Sequence, residues 1–398
     1  MSGSLASIYE SISYALQLHG KAITVLQEQA STGDRVNRGS DSPSDAYRIL
    51  ALNSQDRSLA SFQENITDLM GRLEVSSTVV TDMTTQLADT RTLLTQIVGG
   101  IYNADSRERL ADQIDNTLEQ MVLLANTKHA GQYLFGGNST GSAPYTVVRE
   151  GGEITQVIYQ GSGEARQVDV ASGLEAAGSL VGDEVFRTDE RAAPVFFGST
   201  GARAGTGTAS VQGDLWLTVE YDGANYRVSI DDGATFVTVP PGGDPNQAVT
   251  DSRTGRVLYV DTTGINQTGV ELVRVPGTHD VFSTLIGLRD MLRNGRGLDA
   301  QVLIADVTEC VAGVEEVRNR LVQANITTGS EIGFLNTLKQ NLENVQFDTQ
   351  DQTARLQQAD VAQISIDLAR EQALYQMSLA VAGKLMTTSL LDFINFTG

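Results

Sequence analysis

The chain has 398 residues, 28 of them basic and 49 acidic, for a net charge of −21. That length allows about two to four domains and a sizeable core, and so acidic a surface repels phosphate backbones, so nucleic acid is not an expected partner. Hydrophobic residues make up 40% and charged residues 19%, with a mean hydropathy of −0.14; this excludes a disordered acidic tail and, with no run of about 18 to 20 apolar residues, a membrane-spanning chain.

Met1 to Glu10 holds no basic region followed by an apolar one, so no Sec leader is expected. Downstream, Leu5, Ile8, Ile12, Ala15, His19, Ala22, Leu26 and Ala30 step by three and four, the spacing of one amphipathic helix. After a polar break from Ser31 to Ser44 comes a longer stripe: Leu59, Phe62, Ile66, Leu69, Leu73, Ser76, Val80, Met83, Leu87, Thr90, Leu94 and Ile97. Steps of three and four held that long predict a coiled-coil seam, on a helix roughly 60 Å long, so an elongated molecule is expected. Gly99 and Gly100 then permit a reversal, and Leu110, Ile114, Leu118, Met121 and Ala125 supply a returning helix predicted to end near Gly131.

Residues 141–279 hold six of the seven prolines and 21 of the 39 glycines, a turn-rich composition that reads as β. Leu215 to Tyr221, Tyr226 to Ile230 and Thr235 to Val239 are β-branched and aromatic runs joined by four-residue loops with Asp and Gly, which predict hairpins. Thr155 to Tyr159, Arg256 to Val260 and Val270 to Val275 extend the pattern. The helical grammar returns with Leu335, Leu338, Leu342, Val345, Thr349, Gln352, Leu356 and Ala359. It continues through Ile366, Ala369, Ala373, Met377 and Ala380, broadened by Leu374, Val381 and Leu385 and ending in the apolar Leu390, Leu391, Phe393, Ile394 and Phe396. The expected fold class is α+β: long antiparallel N- and C-terminal helices forming a coiled coil or bundle, residues 1–140 packing with 280–398, around a β-rich insert at 141–279. Isolated amphipathic helices are marginal in water, so part of the seam is expected to wait for a partner.

Chemistry is sparse. His19, His129 and His279 lie in three segments without a second ligand at metal spacing, and read as surface or helix-face residues. The lone Cys310 excludes an intramolecular disulfide and a thiol metal site. Gly137-Asn138-Ser139-Thr140-Gly141 fits the G-x-S-x-G nucleophile pattern but follows a helix and precedes turn residues, so a connector is expected and a hydrolase using Ser139 is the distant alternative. No phosphate-binding loop is present. The acidic pairs Glu315-Glu316 and Asp231-Asp232 read as solvated charges. No cofactor, metal or catalytic residue is expected.

The break at Ser31-Thr32-Gly33-Asp34-Arg35-Val36-Asn37, followed by Asp41 and Pro43, resembles the N-terminal segment of the flagellin superfamily, with Ser42 where a second acidic residue is usual. Ala125-Asn126-Thr127, Tyr133-Leu134-Phe135-Gly136-Gly137 and the terminal Ser389-Leu390-Leu391-Asp392-Phe393 resemble the hook-filament junction branch more than filament flagellin. The resemblance implies a secreted, non-enzymatic structural subunit of the bacterial flagellum lying between hook and filament. It implies termini that fold on assembly, copies of the chain in a ring, contacts with the hook-side junction protein and flagellin, and a type III export chaperone on the C-terminal helices. Its expected assembly residues are Arg35, Asn37 and Asp41 at the break, Leu59, Phe62, Ile66, Leu69 and Leu73 on the seam, and Leu374, Met377, Val381, Leu385, Leu390, Leu391 and Phe393 near the end. The alternatives are filament flagellin itself and a coiled-coil adhesin whose β module, with Trp216 and Tyr221, binds a ligand.

Overall fold

The structure, a computed structural model, describes residues 2–98 and 103–395. Its described helices are α1 (Ser2–Thr32), α2 (Pro43–Val98), α3 (Ala104–Ala125), α4 (Gly182–Phe186), α5 (Val281–Arg293), α6 (Ala300–Gln357) and α7 (Val361–Asn395). The chain divides into two compact units, Met1–Glu64 with Leu338–Gly398, and Asn65–Thr337. Among the described residues no helix is long and apolar enough to cross a membrane.

Helix boundaries follow local chemistry. Pro43 opens α2 where its missing N–H costs nothing. Asn103 accepts from the Ser106 N–H to cap α3, Asp280 accepts from the Phe282 and Ser283 N–H groups to cap α5, and Asp360 does the same for Ala362 and Gln363 at the start of α7. At the far end of α5, Asn294 takes the left-handed conformation of a C-cap. The returning helix α3 stops at Ala125, six residues before the expected Gly131, because Asn126 turns its side chain to the backbone of Tyr145 instead of continuing the helix.

In the first unit α1 and α7 pair antiparallel, as do the adjoining parts of α2 and α6: Gln346 bonds both Gln63 and Asp56, and Gln350 reaches Asp56. The α6 stripe shifts by one residue here. Gln346 takes the sheltered place expected of Val345, which is exposed, because its amide completes that polar set.

The second unit holds the larger core. Along α2, Ile66, Leu69, Leu73, Ser76, Val80, Met83, Leu87, Thr90 and Leu94 are all buried, in the register that the three-four spacing predicts. Ile97 lies outside the described side chains, as Gly99 and Gly100 lie outside the described residues. Val80, Met83, Leu87 and Leu94 share one cluster with Ile114, Leu118 and Met121 of α3, Leu285 and Leu288 of α5, and Val307, Val314 and Leu321 of α6. Each such Leu or Ile stabilises the bundle by about 1.5 to 3 kcal/mol. Thr90 and Ser76 tolerate burial because their hydroxyls donate to the carbonyls of Gln86 and Arg72.

The strands all fall within this unit. After the short hairpin β1 (Lys128–His129) and β2 (Gln132–Tyr133) come the hairpins β3 (Tyr145–Glu150) with β4 (Glu153–Tyr159) and β5 (Gln167–Ala171) with β6 (Leu174–Ala177). Next are β7 (Val195–Phe197), β8 (Arg203–Ala204), β9 (Gly213–Tyr221), β10 (Tyr226–Ser229), β11 (Val237–Thr238), β12 (Gln247–Thr250), β13 (Val257–Asp261) and β14 (Gly269–Val275). They form an antiparallel five-stranded sheet ordered β11-β10-β9-β14-β7 and a three-stranded sheet ordered β12-β13-β8. Between them Leu217, Val219, Val228, Leu258, Val260 and Val273 make a second core, while Leu272, Phe197 and Trp216 pack with the helical cluster. The fold is therefore α+β, with helices before and after a β-rich region in the chain.

Candidate assembly surface

Gly33 turns the chain out of α1 with φ +76°, a conformation that glycine adopts without strain. The break then pairs with the α6–α7 connection. Arg35 N–H donates to Gln357 O at 2.6 Å and Ala359 N–H to Gly33 O at 2.9 Å, so Asp34 and Gln358 form a one-residue antiparallel bridge. The Arg35 guanidinium spans both connectors, donating to Asp45 Oδ2 at 2.8 Å and Leu356 O at 3.1 Å. Its bond, with that of Ser42, holds the Asp45 carboxyl below its ordinary range. Asp41 accepts from the N–H groups of Asn37 at 3.1 Å and Arg38 at 2.8 Å, and Asn37 Nδ2 donates to Asp34 O at 3.0 Å. Arg35, Asn37 and Asp41 thus lie in one network within the chain. Ser42 uses its hydroxyl on Asp45, a partner that a second carboxylate at that position could not serve.

Beyond this bridge α1 and α7 lie side by side. Ile12, Ala15, His19, Ala22 and Leu26 of the stripe read from sequence are half-buried on α1, as are Leu16, Gly20, Ile23, Glu28 and Gln29, while Ala30 is exposed and the side chains of Leu5 and Ile8 lie outside the described residues. His19 Nδ1 meets Glu371 Oε2 at 2.6 Å across the pair. On α7 the sheltered residues are Ile364, Asp367, Leu368, Glu371, Leu374, Tyr375, Ser378, Ala382 and Leu385. The stripe expected there, Ile366, Ala369, Ala373, Met377 and Ala380, faces outward instead. Two apolar rows run along α7, and the helix satisfies one of them with α1. Leu374 and Leu385 therefore belong to the paired face, whereas Met377 is 63% exposed and Val381 50%. On α1, Tyr14 is 70% exposed, with Leu18 and Val25 also open. Leu59 is buried and Phe62 half-buried in the first unit, and Ile66, Leu69 and Leu73 are buried in the second. The side chains of Leu390, Leu391 and Phe393 lie outside the described residues.

Other sequence motifs acquire structural roles. Asn126 makes a reciprocal pair with the backbone of Tyr145, accepting from its N–H at 3.0 Å and donating to its carbonyl at 2.9 Å. Phe135 is buried against Phe186, with ring centroids 4.8 Å apart. Gly137 has φ +58°, and a Cβ there would meet Ser162 O at 2.5 Å. Ser139 sits in an exposed turn closed by its own N–H on Gly136 O at 3.1 Å.

Three sequence expectations are corrected. His279 is not at the surface: it is 1% exposed, with Asp214 Oδ1 and Glu316 Oε1 each 3.2 Å from its ring nitrogens. Burial opposes its charge, but the two carboxylates prevail and hold it protonated, with its pKa raised to about 9. Asp214 and Glu316 are correspondingly held down to about 2, again against burial. Arg274 clamps Asp214 from the next strand at 2.8 and 3.1 Å. This network ties β9, β14 and the entry to α5 onto α6, so Glu316 is not a solvated charge. Nor is Asp231, which is buried and accepts from Ser229, Thr235 and Ser252. Those bonds outweigh burial and hold its carboxyl well below the usual range. They also shape residues 230–236 into a loop, which cuts the run expected from Thr235 to Val239 down to β11. Sequence reasoning missed His279 and Glu316 because their partners lie 37 to 128 residues away in the chain, and Asp231 because its burial under Ser252 leaves no local signal. Among the described residues no group of three or more His, Cys, Asp and Glu side chains is placed to hold a metal ion.

Residues 9–140 match the bacterial flagellin N-terminal helical region. The chain is 27% identical over 160 residues to flagellar hook-associated protein 3 of Escherichia coli (strain K12), covering 40% of this chain and 48% of that one. With the Salmonella typhimurium protein of the same name the identity is 29% over 121 residues, covering 30% and 38%. The chain thus spans about half, or less, of the length of the curated relatives it matches. Among solved structures it resembles flagellar hook-associated protein 3 from Legionella pneumophila, with a TM-score of 0.54 at 17% identity over 77% of this chain and 98% of that one. It also resembles FlgL of Xanthomonas campestris, with a TM-score of 0.50 at 21% identity over 75% and 99%. At such identities the structural likeness establishes the fold. The resemblance read from the motifs, to the flagellin superfamily and within it to the hook-associated proteins, is borne out by the match over residues 9–140, both curated relatives and the shared fold.

Proposed function

We propose that this chain is a non-enzymatic structural subunit of the bacterial flagellum that joins hook to filament, and that it meets neighbouring subunits through the outward faces of α1 and α7. The observation that carries the reading is the second apolar row of α7, with Met377 and Val381 open to solvent, in a chain similar to hook-associated protein 3. Two paired helices have no interior of their own, so an apolar row on the far side gains its burial energy only from another chain. Contacts repeated by a rotation that does not close build a helical tube, and a ring of copies is a short section of one. Its neighbours would be the hook-side junction protein and flagellin, and an export chaperone would cover the C-terminal helices before assembly, as a groove covers an amphipathic helix. In this reading residues 1–140 and 280–398 are the building part and 141–279 the insert.

The test replaces Met377 and Val381 together by Asp in cells whose own copy is removed. Cells carrying the variant should shed filaments and release unattached flagellin, while the purified variant keeps its helical circular dichroism. Normal, stably attached filaments would refute the proposal.

A further inference from the structure

The two outer edges of the β3–β4 hairpin are treated differently. Tyr145 pairs with Tyr159, Thr146 with Ile158 and Val147 with Val157, and Gln160 N–H donates to Pro144 O at 2.7 Å. Hydrogen-bonded and non-hydrogen-bonded pairs alternate in an antiparallel ladder, so the backbone groups of Tyr145, Val147, Val157 and Tyr159 point away from the hairpin. On the β3 side Asn126 serves both the N–H and the carbonyl of Tyr145. On the β4 side no strand pairs with Val157 or Tyr159 among the described residues. Thr155 to Tyr159 instead line a cleft of about 540 Å³, shared with Phe282 and Ile286 of α5 and with Asp183 and Asp280. That volume lies in the range of ligand sites, and five strand residues offer an edge about 16 Å long.

A row of unpaired N–H and C=O groups is complementary to another extended backbone. Charge narrows the choice. Residues 65–337 carry 35 acidic and 19 basic side chains, a net −16. Of the two arginines in the cleft, Arg187 is already paired with Asp183 at 2.5 Å, and Arg256 is the other. A second copy of this edge would bring the same excess of negative charge with it, so like-charge repulsion disfavours self-pairing.

We propose that the β4 edge binds an extended, basic peptide segment of a partner protein by strand addition, with Val157 and Tyr159 pairing to its backbone and Asp280 facing its cationic side chains. No residue of α1 or α7 takes part, so the proposal stands apart from the junction reading.

The test uses the full chain and a fluorescein-labelled, end-blocked pentapeptide of alternating lysine and valine, followed by anisotropy. The probe should bind in the micromolar to millimolar range, and methylating the backbone nitrogens of its valines, which removes edge donors but keeps charge, should weaken it by about tenfold or more. Val157→Pro deletes an outward N–H and no ladder bond, so it should weaken binding similarly with the hairpin intact. A glutamate-valine probe should not bind. Equal binding of methylated and unmethylated probes, no binding at about 1 mM, or displacement of the probe by self-association of the chain would each overturn the proposal.

Discussion

The buried His279 makes the stability of the second unit depend on pH in a direction that can be worked out. Its pKa is raised from 6.5 to about 9 in the folded protein. Folding therefore favours the protonated form, and the contribution is full below pH 6.5 and lost as pH rises through about 9. At 1.36 kcal/mol per unit the displacement amounts to about 3 kcal/mol, shared by His279 with Asp214 and Glu316. Those two carboxylates are lowered from 3.8 and 4.5 to about 2. Their stabilisation is present above the ordinary carboxylate range and fades as pH falls through about 2, which leaves a plateau between roughly pH 5 and 6.5. The single tryptophan, Trp216 on β9, reports unfolding of this unit by fluorescence in urea. Wild type should lose about 3 kcal/mol between pH 6 and 10 beyond any loss in His279→Gln, and the gap between the two proteins should shrink accordingly. A gap of the same size at pH 6 and pH 10 would refute the reasoning, since it would mean the imidazole acts by packing alone.

Three further outcomes follow from the geometry. Gly137→Ala should cost about 2 to 4 kcal/mol in urea melts, from the left-handed backbone and the clash with Ser162 O, whereas Gly141→Ala, with open space around it, should stay within about 0.5 kcal/mol. Met83→Ala, in the bundle core, should cost about 2 to 5 kcal/mol, and Met377→Ala should leave the melt of the isolated chain within about 0.5 kcal/mol while weakening assembly. Asp41→Ala frees the Asn37 and Arg38 amides, and should speed their hydrogen exchange at a cost of about 1 kcal/mol.

What the sequence made legible follows periodicity and local turn chemistry. The α2 seam is in register from Leu59 to Leu94, and Asp222 to Asn225 is the four-residue loop expected, with Tyr221 opposite Tyr226. The chemistry at His279, Asp231 and Glu316 was hidden because a buried charge leaves no periodic trace. His279 and Asp214 are 65 residues apart, and no spacing rule reaches that far. The same limit governs Asn126, which reads as a helix end but serves Tyr145 nineteen residues on.

The misassigned row on α7 rests on a different physical cause. Period alone finds an apolar stripe but cannot say which neighbour covers it, and α7 has two: Leu368, Leu374 and Leu385 towards α1, and Ile366, Met377 and Val381 away from it. A helix that packs on one side only gains nothing in water from a second apolar row, and exposing one invites aggregation. Polar residues on that row would serve an isolated pair better. The second row is intelligible if the folded chain is one component of a larger assembly, where each row has its own neighbour. The ambiguity that defeated the sequence reading is thus the same property on which the assembly proposal stands.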